Sequence, residues 1–184
     1  MNFQFIISCL YFFLPAYFVN MVPPLIRRAN LFNFLDKPVD FDKIFLSKPL
    51  LGSHKTWRGV ICGIIMGMLI ICLQVWLYQF PYVKEISFRE YYHPSIWLFG
   101  FLISTGAVFG DLFFAFIKRR VNIAPGGMFM PFDQTNYVVG AALFLTPFLG
   151  FNIMVWTTLF IATFLLHLVF NRIGYLLGLH KNKW

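Results

Sequence analysis

The sequence predicts an all-α integral membrane protein of about five transmembrane helices, with its N-terminus outside and its C-terminus cytoplasmic. Three observations predict it. The 184 residues are 59% hydrophobic and only 12% charged, and mean hydropathy is +0.72, whereas a soluble domain carries about 25% charged residues. Apolar runs recur at the length a bilayer requires, about 20 residues per helix. The basic residues gather in alternate connections between those runs, as the positive-inside rule demands of cytoplasmic loops.

The five runs are Phe3 to Val22, Trp57 to Phe80, Ser95 to Ile117, Phe132 to Gly150 and Ile153 to Leu177. The first lacks a positive n-region and a small-residue cleavage site, so it is expected to stay as a span rather than be removed as a signal peptide. Arg27, Arg28, Lys37, Lys43, Lys48 and Lys55 lie between the first and second runs, with Arg58 just inside the second. Lys118, Arg119 and Arg120 follow the third, and Arg172, Lys181 and Lys183 close the chain. The second connection balances Lys84 and Arg89 against Glu85 and Glu90, and the fourth carries no charge. The whole of 1–184 reads as a single transmembrane domain. Gly59, Gly63 and Gly67 on the second run, with Gly106 and Gly110 on the third, recur every four residues and mark helix-packing seams.

The formal charge of +8 is distributed through short loops, with no basic tract interleaved with aromatics. It therefore points to anionic headgroups or phosphate-bearing substrates and away from nucleic acid. Cys9, Cys62 and Cys72 all sit in apolar segments without CxxC spacing and read as inert packing residues.

Against this background the stretch "GDLFFAFIKRRVNIAPGGMFMPFDQTN", Gly110 to Asn136, stands out. An aspartate near the centre of a span costs about 2.5 to 3.5 kcal/mol on translocon scales, and such residues usually have work to do. Asp111 precedes Lys118 by seven residues, nearly two turns and about 10 Å, so the two share a helix face with small Ala115 between them. Pro125, Gly126 and Gly127 then form a tight connection with exposed backbone N–H groups. Asp133, Gln134 and Asn136 open the next run. Two carboxylates from neighbouring helices, facing Lys118, Arg119 and Arg120, suit Mg²⁺ and phosphate. The same residues also fit an intramembrane ion pair and a topogenic cluster.

A second polar stretch, "LGSHKTWRG", opens the second run on the same side, where Lys55 and Arg58 lie three residues apart and can address one anion, with the Thr56 hydroxyl nearby. It is not a Walker A loop, because the first glycine is missing at its spacing. His54 reads as a surface or hydrogen-bonding residue. His167 and Asn171 lie four residues apart in the last run, to line a cavity or to join helices.

With "LPAYFVN", "KTWRG", "GDLFFAFIKRR", "PFDQTN" and "LGLHKNKW" in view, the chain resembles, nearly end to end, the CDP-archaeol synthase family of integral membrane cytidylyltransferases. A weaker likeness reaches the CDP-diacylglycerol synthases. Their Gly-Asp, Lys-Arg, Pro-Gly and Asp-Arg-x-Asp fall on Gly110 and Asp111, Lys118 and Arg119, Pro125 and Gly126, then Asp133, Gln134 and Asn136. Gln134 stands where the diacylglycerol enzymes have arginine, and Asn136 where aspartate is expected in both groups.

The resemblance implies transfer of CMP from CTP to a lipid phosphate in the bilayer, giving CDP-lipid and pyrophosphate with Mg²⁺. Asp111 and Asp133 are the expected metal ligands, and both are expected to act in catalysis with Lys118. Lys55, Arg58, Arg119, Arg120, Gly126, Gln134 and Asn136 are the expected substrate-binding residues. The expected place is the cell membrane, with the site facing the cytoplasm, in a chain that can form a homo-oligomer. Phosphatidate cytidylyltransferase, a small ion transporter and a noncatalytic scaffold are the alternatives.

Overall fold

A computed structural model describes residues 2–124, 127–150 and 152–176. Six α-helices, a short 3-10 helix at Asn33–Leu35 and one small hairpin make up the described fold: α1 Phe3–Arg28, β1 Ile44–Phe45, β2 Lys48–Pro49, α2 Trp57–Leu77, α3 Pro81–Glu85, α4 Ser95–Arg120, α5 Phe132–Leu149 and α6 Ile153–Leu176. Four of the helices are long and apolar enough to cross a membrane: α1, α2, α4, and α6 over Ile153–Ile173. The expected fifth span, α5, has 18 residues and falls outside that group. Its opening turn, Asp133-Gln134-Thr135-Asn136, spends apolar length on polar side chains.

The runs expected from sequence begin where the helices begin, while two of them end later than hydropathy alone places them. Helix α1 continues through Pro23 and Pro24 to Arg28, and α4 carries its three terminal basic residues as a last helical turn. Basic side chains suit that position because they face the negative end of the helix dipole. The missing N–H of each proline leaves Val19 and Asn20 without their usual helical donors. The Val19 backbone oxygen faces Gly63 of α2, where a methyl group would sit 3.4 Å away.

The core gathers α1, α4, α5 and α6. Phe13 stacks on Tyr137 at 5.9 Å between ring centres, and Trp156 meets both Phe12 and Phe13 edge-on. Ile103, Ala141, Leu145 and Leu159 are fully buried around them. The described residues contain no disulfide: Cys9 is buried, Cys62 partly so and Cys72 exposed, all as free thiols.

The closest backbone approach is between α4 and α5. A methyl group at Gly110 would meet the Asn136 carbonyl oxygen at 2.2 Å, and one at Gly140 would meet the Gly106 carbonyl oxygen at 2.1 Å. Only hydrogen fits at either crossing, so the two glycines set the distance between the helices. Asp111 follows Gly110 directly, and this contact therefore sets the spacing between Asp111 and the polar first turns of α5.

Candidate functional site

The charged ends of α1, α2, α4 and α5 converge at one end of the bundle. The N-terminal end of α1 lies with α3 at the other, where the Gln4 amide donates to Glu85 at 3.1 Å. At the charged end, two ion pairs join separate elements. Lys55, just ahead of α2, donates from Nζ to both oxygens of Asp111 on α4 at 2.7 Å each. Lys118 at the end of α4 donates to both oxygens of Asp133 on α5 at 2.8 and 2.9 Å.

These pairings relieve the cost of placing carboxylates within apolar helices. They also differ from the pairing that helical spacing alone suggests. Asp111 and Lys118 do share a face and line one cavity, yet each is neutralised from a different element. The Asp133 carboxylate is held further by the Phe129 backbone N–H, which donates to Oδ2 at 2.8 Å.

Two cavities meet at the Lys55–Asp111 pair, which lines both. The first has a volume of about 500 Å³ and an amphiphilic lining. Val19, Pro23, Val108 and Leu112 form its apolar side, and Arg27, His54, Thr56 and Arg58 its polar side. The second has a volume of about 380 Å³ and is lined mostly by residues with charged or polar side chains, Asp111, Lys118, Arg119, Asp133 and Asn136 among them, beside Leu51 and Gly52; for those residues it is called the polar cavity.

The other candidate residues divide between these cavities and the structure around them. Arg58 is buried, with its guanidinium bound to Asp36 at 3.0 Å, to the Asn33 side chain at 2.8 Å and to the Leu31 carbonyl at 3.2 Å. It fixes the loop after α1 while contributing to the amphiphilic wall. Arg119 lines the polar cavity and donates to the Ile123 carbonyl at 2.6 Å. Arg120 turns away to the hairpin, donating to the carbonyls of Phe45, Lys48 and Pro49. Gly126 lies outside the described residues.

Gln134 and Asn136 are buried. Asn136 Nδ2 donates to Asp111 Oδ1 at 3.4 Å, while its own Oδ1 and the Gln134 Oε1 have no protein partner. A buried amide oxygen without a donor is costly, so Asn136 Oδ1, in the wall shared by the two aspartates, is available as a ligand.

Asp111, Asp133 and Asn136 supply a hard, oxygen-only donor set of the kind Mg²⁺ takes. Among the described residues no group of three His, Cys, Asp or Glu side chains comes together as a metal site. Such a set suits an ion that completes its shell with water and substrate phosphate.

Arg27 and His54 line both cavities, and the Arg27 Nη1 and His54 Nδ1 atoms are 3.3 Å apart. Sequence reasoning assigned Arg27 only to the positive loop; it read His54 as a surface or hydrogen-bonding residue, and His54 is exposed and bonded to Arg27. The continuation of α1 through Pro23 and Pro24 is what carries Arg27 to the site, and nothing in hydropathy signals it.

The chain is similar to known proteins along nearly its whole length. The sequence matches the family described as CarS-like CDP-archaeol synthase over residues 2–184. The CDP-archaeol synthase of Methanosarcina acetivorans is 33% identical over 182 residues, covering 93% of this chain and 99% of that protein. The enzyme of the same name from Methanocaldococcus jannaschii is 31% identical, covering 100% and 99%. A solved structure described as an intramembrane enzyme for archaeal membrane lipids biosynthesis superposes with a TM-score of 0.69 at 25% identity, covering 88% of this chain and 91% of that one.

Proposed function

The chain belongs to the CDP-archaeol synthase family and is a membrane cytidylyltransferase, and from that premise we propose how its charged end carries out the transfer. CTP and an archaeol-type lipid phosphate are the substrates, and CDP-lipid and pyrophosphate the products. The observation that carries the proposal is the meeting of two unlike cavities at one ion pair. The polar cavity beside Asp133 suits a triphosphate. The amphiphilic one, open along α1, α2 and α4, suits a phosphate attached to apolar chains.

The lipid phosphate needs no catalytic base. A phosphate monoester with a second pKa near 6 is mostly dianionic at neutral pH and attacks the α-phosphorus directly. Oxygen from the lipid phosphate bonds to that phosphorus as the bond to the β-phosphate oxygen breaks, and pyrophosphate leaves with the electron pair. What the protein supplies is alignment of the two phosphates and neutralisation of leaving-group charge.

Lys55 and Arg27, which line both cavities, are the cations positioned to address both substrates. Lys118 and Arg119 face the polar cavity alone and serve the triphosphate. Asp111, Asp133 and Asn136 Oδ1 are the groups that would hold Mg²⁺. Bound there, the ion would offset phosphate charge and polarise the leaving group. If Asp111 and Asp133 held the ion, the ammonium groups of Lys55 and Lys118, which now pair with them, would be free to bind phosphate oxygens. The proposed placement is the cell membrane, with this end in the cytoplasm where CTP is made.

The test is an assay of purified protein with CTP, Mg²⁺ and either an archaeol-type ether lipid phosphate or phosphatidic acid. Ether CDP-lipid is the expected product, and Asp111→Asn is expected to lower its yield on the order of 100-fold. Folded protein that makes no CDP-lipid from either acceptor contradicts the reading, and preference for phosphatidic acid reassigns the lipid.

A further inference from the structure

The hairpin is the part of the charged end that the reaction leaves unexplained. Its apolar residues face outward: Phe41 is 65% exposed, Ile44 73%, Phe45 49% and Leu46 73%. The two residues of its tip, Leu46 and Ser47, both have positive φ, +49° and +60°. A turn of that kind prefers Asn-Gly, and a leucine is sterically disfavoured there. Neither turn chemistry nor water solubility accounts for Leu46 at the tip.

The position of the hairpin shows what does. Phe109, Phe113, Phe116 and Arg120 recur at spacings of four, three and four residues along α4, on one helix face. Phe109 and Phe113 are exposed and stack on each other at 5.8 Å. On a membrane-crossing helix that stripe faces lipid. It runs without a break onto the hairpin, because the Phe116 and Phe45 rings meet with centres 6.4 Å apart and the Arg120 guanidinium sits over both, 5.1 and 5.3 Å from their centres. The same guanidinium donates to hairpin carbonyls, and Lys48 Nζ donates back to the Arg120 carbonyl at 3.2 Å. The hairpin is thus held level with the last turn of a membrane helix, on its lipid-facing side.

We propose that the β1–β2 hairpin is an interfacial anchor, whose partner is the headgroup–acyl boundary of the bilayer in which the chain is set. Phe41, Ile44, Phe45 and Leu46 enter the apolar side of that boundary, while Lys43 remains among the headgroups. The anchor also reaches the site. Asp40, buried at the base of the hairpin, accepts the Leu51 and Gly52 backbone N–H groups on Oδ2 at 2.8 and 3.2 Å. Leu51 and Gly52 wall the polar cavity. Seating the hairpin on lipid therefore fixes that wall relative to the membrane surface.

The test measures depth and needs no turnover. Leu46→Cys and, separately, Ile44→Cys are spin-labelled in a Cys9→Ala, Cys62→Ala, Cys72→Ala background and placed in phosphatidylcholine–phosphatidylglycerol vesicles, with Lys37→Cys as the water-exposed reference. Both hairpin labels are expected to relax more strongly with oxygen, which partitions into the bilayer, than with a water-soluble nickel chelate, the reverse of Lys37. Nickel access equal to that at Lys37 overturns the proposal. So does dipolar broadening at Leu46 that vanishes on dilution with unlabelled protein, which assigns the tip to a second copy. Unmodified protein gives an independent reading through a photoreactive phospholipid. Adducts are expected on residues 41–46 as well as on the Phe109–Phe113 stripe, and adducts on the stripe alone refute the anchor.

Discussion

At the scale of single residues, the chemistry is decided by which element supplies each charge's partner. Helical periodicity placed Asp111 and Lys118 on one face, and both do line the polar cavity. It held no information about the partners, because Lys55 reaches Asp111 from 56 residues away and only the packed fold brings them together. The sequence likewise showed that Arg58 and Arg120 were basic and at the right end, but not that Asp36, Asn33 and the Leu31 carbonyl would engage the first and hairpin carbonyls the second. Asn136 provides the sharpest residue-level test. Asn136→Asp sets a third negative charge beside Asp111, so thermal stability without metal is expected to fall, while the rise in melting temperature on adding Mg²⁺ should exceed that of the wild type. An identical Mg²⁺ response in the two proteins would remove residue 136 from the ligand set.

Among the elements, the helices were legible in the sequence because membrane spans announce themselves by apolar length, and the glycine seams because only small residues recur at that spacing. Gly59 and Gly63 do face α1, Gly67 faces Ser104 of α4, and Gly106 and Gly110 face α5. Two features escaped. The path of α1 beyond Val22 did so because the apolar run was bounded there, ahead of two prolines and two arginines. The hairpin did so because strands of two residues each are too short to carry a periodic signal. The α4–α5 crossing yields a prediction at this scale. Gly110→Ala must move α5 away from α4, at a cost of about 1–3 kcal/mol for an overpacked contact. Unfolding in detergent should register that loss, and CTP turnover should fall further than stability alone explains, because Asp111 and Asn136 separate. A fully active, equally stable variant would show that the crossing does not set the site.

The whole molecule is asymmetric: the paired carboxylates, the lysines that hold them and both cavities lie at the same end of the bundle. The positive-inside rule predicts that this end faces the cytoplasm, and direct labelling tests that prediction. With native cysteines replaced, Lys37→Cys should react with a membrane-impermeant maleimide only from the cytoplasmic side, and Glu85→Cys only from the opposite side. The reverse pattern would put the site where CTP is absent. The most direct measurement of the central claim is a structure with a nonhydrolysable CTP analogue and Mg²⁺ bound. The triphosphate is predicted to lie in the polar cavity, with oxygens in contact with Lys118 and Arg119 and its α-phosphorus directed toward Lys55. A nucleotide bound elsewhere, or bound with both lysine–aspartate pairs still closed, would contradict the account.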